Sequence, residues 1–181
     1  MAASPRDIRR LALLALYQID AAAREHPAGR PASAPGASDA VTEEDLAVIR
    51  ASLDNLHSLA EEGLTFADLV DDDEFTDKDK DKAFAKARDA YRHRAEADAA
   101  AEALAPDWPA RRQAAVDRAI LRLAHHELTR TEASRGAIIN EAVELAKAFS
   151  TEKSPGFINA LLDKMGKASD AATPRRGDEG V

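Results

Sequence analysis

The stretch Ile139–Met165, "INEAVELAKAFSTEKSPGFINALLDKM", decides how this chain is read. Its apolar side chains recur twice at helical spacing. Ile139, Ala142, Val143, Ala146 and Phe149 share one face. After Ser154-Pro155, a cap followed by a first-turn proline, a second stripe runs through Phe157, Ile158, Leu161, Leu162 and Met165, with Gly166 expected to close it. Two asparagines, Asn140 and Asn159, stand among these apolar positions. Burying an amide without partners costs roughly 1–3 kcal/mol. Something specific is being built here.

Working outward, composition favours helix throughout. Hydrophobic residues make up 45% of the 181-residue chain but aromatics only 4%, and Ala and Leu outweigh Val, Ile and Thr. That mixture predicts an all-α fold. The length suits one sizeable core or two small ones. There is no cysteine, which excludes a disulfide framework, a thiolate zinc site and a cysteine nucleophile. The net charge of −8 argues at first against a nucleic-acid partner. Its distribution reverses that: residues 39–82 hold 15 Asp and Glu against 4 Lys and Arg, a local −11, so the remainder is +3.

"RRLALLALYQIDAAA" has the outline of a signal peptide, but its apolar run, Leu11 to Leu16, falls short of the ~7–15 residues of a secretory core. It reads instead as an amphipathic helix opened by Ser4-Pro5, with Ile8, Leu11, Ala12, Ala15, Leu16 and Ile19 on one face. Proline ends it near Pro27. No run approaches the ~20 apolar residues of a membrane span, so a cytoplasmic protein with no membrane partner is expected. Residues 27–40 form a Pro/Ala/Gly/Ser linker. Thr42 caps a helix with Leu46, Ile49, Leu53, Leu56 and Leu59 or Ala60 on its face, expected to end at Gly63.

The charge-dense "DLVDDDEFTDKDKDKA" reads as a solvated loop or helix entry; a calcium loop would need a glycine and a terminal glutamate that it lacks. A helix is predicted from Ala83 to about Ala105, with Lys86, Arg88, Arg92 and Arg94 spread around it as a solvated surface or phosphate contacts. Beyond "PDWPARR", Val116, Ile120, Leu121, Leu123, Ala124 and Leu128 give another apolar face. The expected layout is a single helical domain over 1–167, with 27–82 as linker and acidic insertion, and a disordered tail over 168–181.

Chemistry is sparse. His125-His126-Glu127 invites a metal, but adjacent helical residues point about 100° apart and the zincin motif needs its histidines four apart. No phosphate-binding glycine loop or nucleophile elbow is present. Neither cofactor, metal nor catalytic residue is expected, and the chain does not read as an enzyme.

"ALYQID" in the first helix, "DWPARR" ahead of "VDRAILRLAHHEL", then "IINEAVELAKAF" and "SPGFINALLDKM" resemble, in this order, the NusB family of transcription antitermination factors. The resemblance implies an all-helical fold of two small subdomains. It implies binding of boxA-type single-stranded RNA in ribosomal RNA transcripts together with a NusE-like ribosomal protein, and action on RNA polymerase with other Nus factors. It also suggests that Asn140 and Asn159 tie segments together by amide hydrogen bonds, Glu141 joining that network, or else touch RNA.

Carried over by motif, Arg9 matches a family arginine for RNA, with Arg6 and Arg10 beside it. Arg118 and Arg122 lie four apart, a spacing that suits phosphates. Phe157 stacks on a base or anchors the core. Asp117 and Glu127 fit a role toward the NusE-like partner, and Lys153 stands where many members are acidic. Asp7 interrupts the arginine cluster, and Ala160 replaces a common glycine. A NusB-like domain also begins certain RNA cytosine methyltransferases; without a cysteine or a following cofactor domain, that enzyme is not expected here. The remaining alternative is a helical protein-interaction module with little or no RNA binding.

Overall fold

In the computed structural model, residues 3–25, 41–56 and 75–172 are described. Helices account for most of them, and among the described residues there is no strand. The chain divides into two compact units, Met1–Tyr91 and Arg92–Val181. The linker expected over 27–40 lies outside the described residues, as does the expected tail from 173 onward, whereas its first part, 168–172, continues the last helix.

The first unit holds α1 (Pro5–Glu25), α2 (Glu43–Ser52) and most of α3 (Asp77–Arg92). The Ser4 hydroxyl accepts the Asp7 backbone N–H at 3.2 Å, which caps α1 as its sequence predicts. Buried positions on α1 include the expected Ile8, Leu11, Ala12, Ala15, Leu16 and Ile19, but also Leu13 and Leu14. From Leu11 to Leu16 the helix has no solvent face, so a single apolar stripe understates it. A reciprocal capping box opens α2: Thr42 N–H donates to Asp45 at 2.9 Å and Asp45 N–H to Thr42 at 3.1 Å.

This helix stops at Ser52 rather than Gly63, yet Leu53 and Leu56 beyond it stay buried. The same Thr-x-x-Asp box recurs at Thr76 and Asp79 and starts α3 at Asp77, ahead of the expected Ala83. Ala83, Ala87, Ala90 and Tyr91 form the buried side of α3. Arg50 on α2 donates to Asp81 at 2.7 Å and to Asp54 at 2.9 Å, tying α2 to α3. The acidic insertion is therefore partly structural: Ile49, Asp79 and Lys80 are all buried.

His93 separates α3 from α4 (Arg94–Leu104), where one continuous helix was expected. In the second unit a 3₁₀ turn (Ala110–Arg112) follows, then α5 (Ala115–Arg130), α6 (Arg135–Phe149) and α7 (Ser154–Ala172). α6 packs most extensively on α7, and α5 packs against both as well as against α4. Every residue of α5 from Asp117 to Leu128 is buried, charged ones included.

α7 runs through Gly166, so the expected stop is not one. Instead the side-chain stem of Arg135 lies where a Cβ at Gly166 would be, and the glycine makes room for it. The two asparagines are exposed, and among the described residues neither amide makes a hydrogen bond. The expectation that they tie segments together is not met.

Candidate nucleic-acid interface

Arg6, Arg9 and Arg10 occupy the first two turns of α1, Arg6 exposed and the other two half-buried. Asp7 sits among them, 3.7 Å from Arg10, and takes up part of its charge. An ion pair this open to water contributes about 0–1 kcal/mol, so it does not lock Arg10 away from a phosphate.

Within the second unit the polar residues of α5 from Asp117 to Glu127 are buried. Arg118 is 1% exposed and donates through Nη1 to the carbonyls of Ala110 and Gln113, at 3.1 and 3.2 Å. Arg122 is 6% exposed and grips Asp98 of α4 with a two-pronged pair, Nε to Oδ1 at 2.8 Å and Nη2 to Oδ2 at 2.7 Å. The four-residue spacing does put both on one helix, but their guanidinium donors serve the protein's own carbonyls and carboxylate. Arginine suits that work because its planar fork matches a carboxylate in two bonds. Burial and these internal partners speak against the expected role of the pair toward phosphates.

Asp117 is buried as well. Its two carboxylate oxygens accept the Ser150 hydroxyl at 2.5 Å and the Ser154 hydroxyl at 2.8 Å, clamping the α6–α7 turn onto α5. Ser154, expected as a helix cap, spends its hydroxyl on this clamp. Glu127, 3% exposed, lies inside the same unit. Lys153 is exposed on the clamped turn, and Phe157, half-buried, is one helical turn further along. The structure thus brings Asp117, Lys153 and Phe157 together around the start of α7 and leaves Glu127 toward the other end of α5.

One feature escaped the sequence reading although its motif was in view. Trp108 is 44% exposed, and the Arg112 guanidinium lies over its ring, 5.2 Å from the centroid. The signal was the four-residue offset between the two in "DWPARR". On α5, burial pushes the His125 imidazole below the ordinary histidine range, with Glu96 and Asp98 opposing and Arg130 assisting. Among the described residues no group of His, Asp and Glu could hold a metal, and no helix is long and apolar enough to cross a membrane.

Two helical units, the second assembled around a helix buried along twelve consecutive positions, define an all-helical protein. A family model described as the NusB family matches residues 6–167. The chain belongs to the NusB family.

A solved structure of NusB from T. maritima superposes with a TM-score of 0.62 over 92% of this chain and 93% of that one; at 23% identity it shows the fold. The protein is 46% identical over 79 residues to "Transcription antitermination protein NusB" of Anaeromyxobacter dehalogenans (strain 2CP-1 / ATCC BAA-258), covering 44% of this chain and 54% of that protein. A second, of the same name, from Sulfurimonas denitrificans is 51% identical over 61 residues, covering 34% of this chain and 46% of its own length. The chain spans about half the length of these curated relatives.

Proposed function

We propose that this protein is an antitermination factor for ribosomal RNA transcripts that binds boxA-type single-stranded RNA jointly with a NusE-like ribosomal protein. The family match over residues 6–167 carries this reading. In it the protein is a binding factor rather than an enzyme, and other Nus factors and RNA polymerase are reached through the complex.

The arginines of α1, Arg6, Arg9 and Arg10, supply phosphate contacts, and Phe157 offers a partly exposed ring to a base. Arg118 and Arg122 act as internal braces. Lys153 belongs to the surface offered to the ribosomal protein. Asp117 supports that surface from beneath by fixing the turn that displays Lys153, whereas Glu127 is buried toward the other end of α5.

Titrating a labelled boxA-type RNA with the protein, alone and with the NusE-like protein added, tests the reading. Weak binding alone and much tighter binding with the partner is expected. Absence of RNA binding in both conditions would sink it. One observation favours a second reading: burial of Arg118 and Arg122 takes two cations off the surface. If the ribosomal protein binds while RNA does not, the chain is a helical protein-interaction module.

A further inference from the structure

The turn between α4 and α5 is held more firmly than a connection requires. Along Asp107–Gln113, four backbone carbonyls are taken up by side chains. Arg112 Nη1 donates to Asp107 O at 3.0 Å and Gln113 Nε2 to Trp108 O at 3.1 Å. Buried Arg118 donates to Ala110 O and Gln113 O from beneath. Trp108 N–H donates in turn to Ala105 O at 2.9 Å. What this frame displays is an indole open to solvent with a guanidinium across its ring, and Arg111 exposed beside them.

We propose that Trp108 and Arg112 form a stacking platform for one base of single-stranded RNA, with Arg111 on the adjoining phosphate. The proposal rests on the RNA reading above and adds to it a contact in the second unit. Its chemistry is that of sequence-tolerant strand binding: every base has a π-face, and a guanidinium plane both stacks and pairs with phosphate. Preorganisation by the braced turn means that little ordering remains to be done on binding.

A protein partner is the less suitable occupant. Protein hot spots sit in a well-packed apolar surround, whereas the residues flanking Trp108 that reach solvent mix Leu104 and Pro106 with the charged Asp107, Arg111 and Arg112. Asp107 also opposes the two arginines, so the platform attracts a strand more by stacking than by net charge.

Trp108 is the sole tryptophan of the chain, so its emission reports on this site alone. The full-length protein is titrated with an end-labelled boxA-type RNA while RNA anisotropy and tryptophan emission are followed together. Emission should change in step with anisotropy. Trp108→Ala should weaken binding roughly 5- to 150-fold, the span found when base-stacking aromatics are truncated, while Trp108→Phe should keep most of the affinity. Circular dichroism of both variants should match the parent; if the alanine variant misfolds, the parent's emission and the phenylalanine variant decide.

Anisotropy that rises while emission stays constant, or an alanine variant that binds like the parent, overturns the platform and leaves the RNA reading standing. An emission change that needs the NusE-like protein and not RNA overturns it in favour of protein docking. If no RNA binds by either signal, the RNA reading itself fails and the platform with it.

Discussion

Arg118 keeps its charge inside the second unit, where its two carbonyl partners belong to the turn below. Truncating it strands both acceptors and opens a cavity. Arg118→Ala should therefore cost about 1.5–3 kcal/mol, the range for hydrogen bonds to a charged group. Thermal denaturation should show this as a drop of roughly 5–10 °C. Unchanged stability with weakened RNA binding would instead return the residue to the phosphate surface. The exposed asparagines give the opposite expectation. Asn159→Ala removes no bond among the described residues and should move stability by no more than about 0.5 kcal/mol, checked by urea denaturation. Phe157 is half-buried, so Phe157→Ala should cost about 1–2 kcal/mol, below the ~3–5 of a fully buried ring.

Helix starts in the first unit are set by short local boxes. Thr76 and Asp79 exchange backbone and side-chain bonds, and Asp79 is held below the usual carboxylate range first by the Thr76 hydroxyl and also by the backbones of Thr76 and Ala3. Thr76→Ala should cost about 0.5–2 kcal/mol of stability, with loss of helical signal confined to the start of α3 in hydrogen exchange. Such boxes were legible: Ser4-Pro5 and Thr42 place the first two starts, and Thr76-x-x-Asp79 repeats the pattern within the charge-dense run read as a solvated loop or helix entry. The apolar periodicity of 139–165 was equally legible as two helices. Illegible was which charged residues turn inward. Asp117, Arg118, Arg122 and Glu127 sit on a helix surrounded by others, and hydropathy cannot distinguish a cation facing water from one whose partner lies 24 positions away, as Asp98 does from Arg122. Gly166 misled for a similar reason, because its role is set by Arg135 from another helix.

For the molecule as a whole, interior cations change what salt should do. If Arg6, Arg9 and Arg10 contact two or three phosphates, the logarithm of RNA affinity should fall against that of salt with a slope of about −1.4 to −2. Arg6→Ala with Arg9→Ala should make the slope shallower; an unchanged slope in that variant would remove α1 from the RNA surface. Stability should also depend on pH through His125. Burial holds its folded pKa down, so the unfolded chain takes up the proton first as pH falls. The stabilisation is complete above the ordinary histidine value of about 6.5 and is lost as pH drops through the lower folded value. The thermal midpoint should decline as pH falls below the ordinary histidine value on that account, and His125→Gln should flatten the decline.

Finally, the carboxylate of Asp117 joins hydroxyls 33 and 37 positions along the chain, whereas α5, α6 and α7 follow one another with short turns. Helix pairing of this kind is quick, because little loop entropy is lost before contacts form. The clamp needs all three helices docked and so closes late. Asp117→Asn should leave the refolding rate almost unchanged and accelerate unfolding, the pattern of an interaction absent from the transition state. Asp117 thus acts as a latch, setting how long the second unit stays folded rather than how soon it folds.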